Sequence, residues 1–544
     1  MHRRIALTTT PREAAARSLY LPMAARKLGI PAGEISAVRI TRRSIDARSR
    51  RIRVNLELEV STDPAGFAPA ATQLDYPSVH GKPPVLVVGA GPAGLFAALR
   101  LVELGCRPII IERGREVATR RKDIARLLRR HALNPDSNYG FGEGGAGAFS
   151  DGKLYTRSHK RGDVRRILTL LHHHGAAAEI LFEAQPHIGS NKLPGIIQNI
   201  RGTILAAGGE IHFETPLTEF IIRAGKLLGV RTRGGQAFKA AATILATGHS
   251  ARDIYHGLHR SGIAIAAKAF AMGVRIEHPQ ALIDRIQYHG QPRGPYLPPA
   301  TYRLVTQVDG RGVYSFCMCP GGFIVPAATR PGEVVVNGMS FAKRNSPFAN
   351  AGVVVEIRLA DLPGLDTAPE LAGLHYQAGL EREAFRQGGR QGQTAPAQRL
   401  TDFVAGRYSS DLPQSSYLPG VASSPLHDWL PAPITTRLQQ GFRVFGRQLK
   451  GFLSREAVLL AVESRTSSPV RIPRRPDTLE HPQVQGFYPC GEGAGYAGGI
   501  VSSAIDGERC AEKAAAALSR TQGDTSRHRR QQPGCGREQP GRVR

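Results

Sequence analysis

The chain has 544 residues, of which 41% are hydrophobic and 21% charged, so the composition excludes a largely disordered protein and the length allows about two or three domains. Its formal net charge of +28 would ordinarily indicate nucleic acid as a partner. However, arginine strongly outweighs lysine in a chain rich in Ala and Gly, and codon bias explains this equally well. Nucleic acid is therefore the less favoured partner.

Six cysteines are too few for a disulfide framework and favour a reducing compartment, and their spacing matches no metal-ligand set. The first residues, up to Pro11, lack an apolar signal core. The longest apolar region, residues 86–102, contains a glycine-rich turn and Arg100, which disfavours a membrane span. We therefore expect no bound metal, no membrane span and a cytoplasmic location.

Residues 1–75 are predicted to form a small N-terminal α+β domain with a helix over 14–28. Apolar residues from Ile52 to Val60 alternate with polar ones, which is the pattern of a half-buried strand. The basic turn at residues 42–48 suits an RNA or protein partner, although a solvated loop is favoured. Residues 61–83 are predicted to be a linker.

The strongest pattern is a β-α-β unit over residues 83–114. An apolar strand ends at a GxGxxG turn, a helix follows to Glu103, and a second strand leads to Glu112. The turn consists of Gly89, Ala90, Gly91, Pro92, Ala93 and Gly94. Its glycines permit a tight turn, close approach of a phosphate to the backbone, and close packing of the helix on the strand.

Glu112 stands where such units bind an adenosine ribose. A carboxylate there repels a 2′-phosphate, so the expected ligand is NAD or the adenosine half of FAD, and NADP is disfavoured. Arg113 would stack on adenine or pair with a phosphate, and a plain surface arginine is an equally good interpretation.

Residues 115–132 are predicted to form an arginine-rich helix whose charges line an anionic cofactor or face water. The next segment, residues 138–153, is too rich in glycine for a helix or strand. Such a loop suits a backbone that lies against a flat ring, and an exposed linker is the alternative. Short strands from 208 to 248 indicate a small antiparallel crossover, followed by a strand that ends at Thr247 and Gly248.

Residues 251–430 are predicted to form a substrate or cap domain. Its close thiol pair, Cys317 and Cys319, would relay electrons or pack as small buried side chains, and packing is slightly favoured. Near residues 487–501 the chain returns to the nucleotide fold through a strand, a glycine turn and a helix whose N-terminus would face an anionic group. Residues 519–544 are polar and basic and are expected to be disordered.

These motifs resemble FAD-dependent oxidoreductases of the glutathione-reductase-like fold that carry a single dinucleotide domain. The resemblance rests on the glycine turn with Glu112, the strand TILATG at residues 243–248, and the closing turn at Gly491 and Glu492. More narrowly, four segments are similar to a poorly characterised family of bacterial FAD-dependent dehydrogenases: NYGFGEGGAGAFSDGKL, ILATGHSARDIY, FCMCPGG and YPCGEGAGYAGGIVSSAIDG.

The resemblance implies an α/β fold in which a Rossmann-like FAD-binding domain of three layers (ββα) carries an inserted α+β substrate or cap domain, beside the small N-terminal α+β domain. The FAD-binding domain would comprise residues 83–250 and 431–518, and the cap residues 251–430.

The resemblance also implies FAD with its pyrophosphate on the glycine turn, its adenosine ribose on Glu112 and its adenine beside the backbone of Leu217. The strand end at Thr247 and Gly248 would border the cofactor. The ribityl chain and the ring would lie along Gly491, Glu492, Gly499, Ile500 and Val501. Many relatives have Asp where this chain has Glu492, whose carboxylate can still accept a bond from a ribityl hydroxyl.

The expected function is an FAD-dependent dehydrogenase that transfers a hydride between flavin and an unidentified small organic substrate, with NAD(P)H as a transient donor. A flavin-dependent RNA-modifying enzyme and a non-catalytic flavin-binding scaffold or sensor are the alternatives. No acid–base pair stands out, and the weak candidates for catalysis are Lys153, His249, Cys317 and Cys319.

Overall fold

The N-terminal domain is a three-stranded antiparallel sheet with two helices packed on one face. The computed structural model of the chain describes residues 1–67, 74–156, 162–364 and 368–530, with residues 521–530 described by their backbone alone. The predicted half-buried strand is confirmed as the central strand of the order β1-β3-β2. The predicted domain end at residue 75 follows residues 68–73, which lie outside the described residues. The elements are β1 (His2–Thr9), α1 (Pro11–Ala15), α2 (Arg17–Leu28), β2 (Ala37–Asp46) and β3 (Arg53–Ser61).

The nucleotide fold is built on a parallel sheet, and the predicted β-α-β unit is confirmed as its β4, α3 and β5. Among the described residues the strand order is β22-β10-β4-β5-β6. The strand β4 is an apolar run buried on both faces, which is typical of a central parallel strand. The elements are β4 (Pro84–Val88), α3 (Pro92–Glu103), β5 (Arg107–Ile111), α4 (Val117–Arg130), α5 (Val164–His173), α6 (Leu193–Ala206), β6 (Glu210–His212), β10 (Thr243–Leu245), α7 (Arg252–Arg260), β22 (Phe487–Pro489) and α13 (Ile500–Arg530).

The predicted antiparallel crossover is confirmed as a separate sheet whose strands precede β10 in the chain. It consists of β7 (Leu217–Arg223), β8 (Lys226–Thr232) and β9 (Ala237–Lys239), paired in that order. Its position brings Leu217 to the carboxyl edge of the parallel sheet, where the site lies.

The cap is built on a mixed sheet in the order β13-β14-β17-β12-β20-β18-β19. Two smaller pairs, β11 with β21 and β15 with β16, adjoin it. Its elements are β11 (Ala266–Ala267), β12 (Phe270–Pro279), α8 (Gln280–Gln287), β13 (Val305–Val308), β14 (Arg311–Cys319), β15 (Gly322–Pro326), β16 (Val336–Ser340), β17 (Phe348–Ile357), α9 (Pro369–Gln387), β18 (Ala395–Arg399), α10 (Leu400–Ala405), β19 (Val421–Ser423), α11 (Leu426–Trp429), α12 (Ala432–Gln448), β20 (Val458–Glu463) and β21 (Val470–Arg471).

The predicted cap boundary at residue 430 is too early. The strand β20 pairs with both β12 and β18 of the cap sheet, and side chains of α12 belong to the same hydrophobic core. Because this pairing joins segments that are far apart in the chain, the local sequence carries no sign of it. The cap therefore continues past residue 460.

The last helix, α13, packs along α3 and extends to Arg530. The prediction of disorder from residue 519 is therefore wrong as far as Arg530, and residues 531–544 lie outside the described part of the chain. Across the described ranges, every helix is too short or too polar to traverse a bilayer.

A buried carboxylate on α13 should make the stability of this helix packing depend on pH. Glu508 Oε1 accepts a hydrogen bond of 2.9 Å from Arg166 Nε on α5, yet burial raises the pKa of Glu508 to about 7, from an ordinary value of 4.5. The folded state therefore binds more protons than the unfolded state between these values, so stability falls as pH rises through this window. Between pH 5 and pH 8, the free energy of unfolding of the wild type should fall by up to about 3 kcal/mol more than that of Glu508→Gln. Urea unfolding of both proteins at each pH measures this difference.

Glu512 offers a matched control one turn further along the same helix. Its ion pair with Arg100 is 2.9 Å long and its side chain is 47% exposed. Removing a pair this exposed should change the unfolding free energy by less than about 1 kcal/mol at either pH. If the free energies of unfolding of the wild type and Glu508→Gln change in parallel with pH, the pH dependence does not come from Glu508.

Candidate functional site

A cavity of about 520 Å³ lies where the carboxyl ends of the parallel strands meet the cap. One end is bordered by Glu112 after β5, the middle by Gly91 at the start of α3, and the far end by Lys153, Phe316 and Cys317. Ligands of open α/β sheets bind at this edge, and the volume is in the range of cofactor and small-molecule sites.

Most of the predicted cofactor residues line this one cavity, although they come from widely separated segments. They are Gly89, Gly91, Pro92, Ala93, Glu112, Arg113, Leu217, Thr247, Gly248, Gly491, Glu492, Gly499 and Ile500. Three others lie behind its wall: Ala90, Gly94 and Val501.

The glycine turn shapes the middle of the cavity as a cradle. A Cβ at Gly94 would lie 1.9 Å from the carbonyl oxygen of Gly89, so only glycine permits this contact of helix and strand. A Cβ at Gly91 would meet nothing nearer than Gly145 Cα at 3.7 Å, so Gly91 leaves open space beside the backbone. Both α3 and α13 begin at the cavity, and the first amides of a helix have no partner within it. These features fit the pyrophosphate of a dinucleotide.

The carboxylate of Glu112 joins the glycine turn to the glycine-rich loop. Its Oε2 accepts a hydrogen bond of 2.8 Å from the amide of Ala90, and its Oε1 accepts bonds from the amides of Gly114 at 2.9 Å and Gly142 at 3.0 Å. A carboxylate has about four lone-pair positions. The three amides leave room for one hydroxyl, which fits a ribose.

Arg113 lines the cavity, but its charge is already paired. It donates two hydrogen bonds to Asp253, of 3.0 and 3.1 Å, and one of 3.2 Å to Asp136. Its guanidinium also lies 4.3 Å from the centre of the Phe141 ring. The geometry thus favours stacking over pairing with a phosphate.

The charges of helix α4 were predicted to line an anionic cofactor or to face water, and Arg120 does neither. Its side chain is fully buried and donates hydrogen bonds to the backbone carbonyls of Asn138 (2.8 Å), Tyr139 (3.0 Å) and Glu143 (2.7 Å). It therefore neither lines the cofactor cavity nor faces water, and it fixes the glycine-rich loop at residues 138–153 instead.

The closing turn is held by a residue that sequence analysis missed. Asp506 accepts a hydrogen bond of 2.8 Å from the amide of Gly491 and is itself paired with Arg474 at 2.6 Å. Beside this turn, Glu492 Oε1 lies 3.5 Å from His249 Nδ1. Glu492 therefore lines the cavity, with the imidazole of His249 beside its carboxylate.

Three of the four weak candidates for catalysis line the cavity, namely Lys153, His249 and Cys317, whereas Cys319 is fully buried behind it. Lys153 Nζ donates to the carbonyl of Met318 and lies 3.9 Å from Cys317 Sγ and 4.0 Å from Cys319 Sγ. The structure thus places both thiols beside one ammonium group.

Several other residues line the cavity without having been predicted to do so: Asp253, Asn337, Arg465, Thr466 and Ser503. Asp253 and Ser503 lie within two of the segments that carry the resemblance, whereas Asn337, Arg465 and Thr466 belong to the cap and no local motif marks them. Only the long-range pairing of strands brings them to this edge.

A larger groove, of about 1380 Å³, lies between the N-terminal domain and the cap, away from the glycine turn. The segment at 42–48 was predicted to be a turn, but residues 42–46 belong to the strand β2. Its basic residues that border the groove are paired, Arg43 with Glu183 and Arg48 with Asp46. Among the described residues, the glycine turn, the Glu112 carboxylate and the N-termini of α3 and α13 come together only at the smaller cavity.

Comparison with protein families agrees with this geometry. Residues 82–126 match a family model described as an FAD binding domain, and residues 269–466 match one described as FAD-dependent protein, C-terminal domain-like. Residues 1–61 match a domain of unknown function. The cofactor is therefore FAD, and the protein is a flavoprotein oxidoreductase of α/β fold.

Among solved structures, the chain has low similarity to two proteins. A geranylgeranyl bacteriochlorophyll reductase-like protein from Thermoplasma acidophilum is 13% identical, with a TM-score of 0.35, over 81% of this chain and 80% of that one. The flavin-dependent brominase Bmp2 is 13% identical, also with a TM-score of 0.35, over 80% and 79%. Neither likeness is close enough to indicate a substrate.

A curated relative is much more similar. An uncharacterised protein from Clostridium beijerinckii is 40% identical over 508 residues, which cover 90% of this chain and 94% of that one. The chain therefore belongs to the same family as this Clostridium beijerinckii protein.

Proposed function

We propose that this flavoprotein is a dehydrogenase of the glutathione-reductase-like type, which holds FAD in the 520 Å³ cavity and an organic substrate at its cap end. The observation that carries the proposal is the continuity of the cavity. It extends from Glu112, past Gly91 and Gly499, to Lys153 and Cys317 without leaving the carboxyl edge of the sheet.

FAD, when bound, supplies the capacity to accept or give up a hydride. The chain contributes position and electrostatics. Glu112 would accept a ribose hydroxyl, the amides at the start of α3 would bind the pyrophosphate, and the N-terminus of α13 would stabilise negative charge on the ring system. Leu217, Thr247 and Gly248 would border the adenosine half.

The cap end of the cavity is lined by charged and polar side chains from two parts of the chain. Lys153 lies there beside Asp151 on the glycine-rich loop, and Asn337 and Arg465 come from the cap. These groups would orient a polar organic substrate and exclude bulk water from the site. NAD(P)H would act as a transient donor, since no second glycine turn of this kind follows a strand in the sequence.

An RNA substrate is less well supported. The basic patch at residues 42–48 that would bind it is paired with carboxylates: Arg42 lies 3.4 Å from Glu57, and Arg43 and Arg48 are also paired. Paired arginines attract a polyanion weakly.

The proposal is tested by adding NADH, NADPH and fractionated metabolite pools anaerobically to the purified holoenzyme and recording the flavin absorption. We expect bleaching by at least one pyridine nucleotide and its reversal by an organic acceptor, or direct bleaching by an organic donor. Bound FAD that dithionite reduces, but that none of these compounds reduces, would contradict the proposal and favour a non-catalytic flavin scaffold.

A further inference from the structure

The thiols of Cys317 and Cys319 lie in a distorted part of the cap sheet, directly beside the cavity. Pairing of β14 with β17 shifts register between Phe316 and Cys319, which is the mark of a bulge. Cys317 has a φ of 45°, in the left-handed region that residues other than glycine seldom adopt. The strand is therefore bent where the two cysteines stand.

The bend brings the two side chains to one place. In a straight strand, residues two apart are separated by about 6.6 Å, near the upper limit of the Cα spacing that a disulfide spans. Here both sulfurs lie within 4.0 Å of Lys153 Nζ, and Cys319 Sγ is 3.3 Å from the carbonyl oxygen of Cys317. Cys317 and Cys319 are free cysteines in this structure.

Buried cations surround the pair and fix the bulge. Arg275 is fully buried and donates to the carbonyl of Cys317 at 2.8 Å, while its Nη2 lies 3.7 Å from Cys319 Sγ. It is held by Glu463 at 2.9 Å. A hydrogen bond with Cys319, opposed by burial, and the charges of Lys153 and Arg275 hold the pKa of Cys317 well below its usual value.

The two thiols differ in access. Cys317 is half-buried and borders the cavity, whereas Cys319 is completely buried. A thiolate in a cationic, accessible setting beside a second thiol is typical of redox-active cysteines and not of cysteines that serve only packing. This setting favours the electron relay over the packing role that the sequence slightly favours.

We propose that Cys317 and Cys319 form a redox-active dithiol that exchanges an electron pair with the bound flavin, a second redox centre in addition to FAD. The inference rests on the proposed function only in taking the flavin to lie in this cavity. In the oxidative direction the thiolate of Cys317 and the thiol of Cys319 form an S–S bond, and the S–H bond of Cys319 breaks. The electron pair and that one proton pass to oxidised flavin.

The proposal is tested by counting electrons. Holoenzyme is oxidised with diamide, freed of reagent, and titrated anaerobically with dithionite while the flavin absorption is recorded. Because a disulfide is a two-electron couple, as FAD is, the wild type should take up twice as many electrons per FAD as Cys317→Ser or Cys319→Ser. Cys106→Ser, which removes a buried cysteine of the nucleotide fold, should match the wild type.

A second measurement uses the wild type alone and does not depend on folding of a variant. After oxidation, denaturation and alkylation, the peptide that contains both cysteines should carry no alkyl group and be lighter by two hydrogens than its reduced form. Equal electron uptake by the wild type and both variants, together with full alkylation of both cysteines after oxidation, would overturn the proposal.

These outcomes are separable from those of the substrate screen. A doubled electron count in a protein that no metabolite or pyridine nucleotide reduces would support the dithiol and contradict the dehydrogenase. If a substrate bleaches the flavin but the dithionite titration shows only one electron pair taken up per FAD, the results would support the dehydrogenase and contradict the dithiol.

Discussion

A Gly91→Leu variant should fold and contain no FAD. The backbone of Gly91 is extended, with φ of −76° and ψ of −175°, a conformation open to any residue. A Cβ there would make only an ordinary contact of 3.7 Å with Gly145 Cα. The rest of a leucine side chain must therefore enter the cavity, where the account places the pyrophosphate.

The expected loss of FAD affinity is at least about 100-fold, or about 3 kcal/mol, because the side chain occupies the space of the ligand and covers the amides of α3. Absorption of the purified protein and fluorescence titration of its apoprotein with FAD measure this. Gly202→Leu is a matched control on α6, at an exposed glycine with nothing within 4 Å of its Cβ position, and it should remain yellow. A fully loaded Gly91→Leu protein would exclude the glycine turn as the pyrophosphate site.

Replacing Glu381 by Gln should strongly destabilise the cap. Glu381 is fully buried on α9 and accepts hydrogen bonds from Arg252 at 2.8 Å and from Arg465 at 3.0 Å. Burial opposes its charge, but Arg465 and Arg252 hold the pKa of Glu381 well below its usual range. The carboxylate thus neutralises two guanidinium groups that are almost out of contact with water.

Loss of the Glu381 charge would leave Arg252 and Arg465 to share Glu333, which lies 3.4 and 3.5 Å from them, so one buried guanidinium charge is uncompensated and the cost is about 3–5 kcal/mol. Because Arg252 belongs to α7 of the nucleotide fold and Arg465 lines the cavity, the variant should also bind FAD more weakly. Urea unfolding of the apoprotein measures the first effect. Glu383→Gln on the same helix, whose partner Arg386 is 56% exposed, should cost less than about 1 kcal/mol. Equal losses for the two variants would contradict the special role of Glu381.

The dinucleotide fold could be predicted because its signals are local. Strand, glycine turn, helix and terminal carboxylate follow one another within residues 83–114, and each has a fixed spacing to the next. The alternation in β3 is local in the same sense. Such patterns depend on the geometry of neighbouring residues, which the sequence records directly.

Features that depend on distant contacts could not be predicted. The strand β20 joins the cap sheet through β12, which lies almost two hundred residues earlier, so a boundary drawn from composition fell too early. Arg120 has the same sequence surroundings as its exposed neighbours on α4, and only the fold shows that carbonyls of the glycine-rich loop surround it. Asp506 lies inside the last segment that carries the resemblance, but only the fold shows that its carboxylate holds the amide of Gly491.

The last helix, α13, shows that composition alone does not predict where a helix ends. Residues 519–530 lack apolar periodicity and were therefore expected to be disordered, but α13 continues through them to Arg530. Once the helix has formed from Ile500 onward, each further residue adds a hydrogen bond without a new nucleation step, so the helix continues where there is no packing face.

The electron density of crystals of the yellow holoenzyme tests the central claim most directly. We expect FAD in the 520 Å³ cavity, with its ribose at Glu112, its pyrophosphate beside Gly91 and its ring system toward Gly499 and Cys317. Density for FAD outside this cavity, or a fully loaded crystal whose cavity holds no part of the cofactor, would contradict the account.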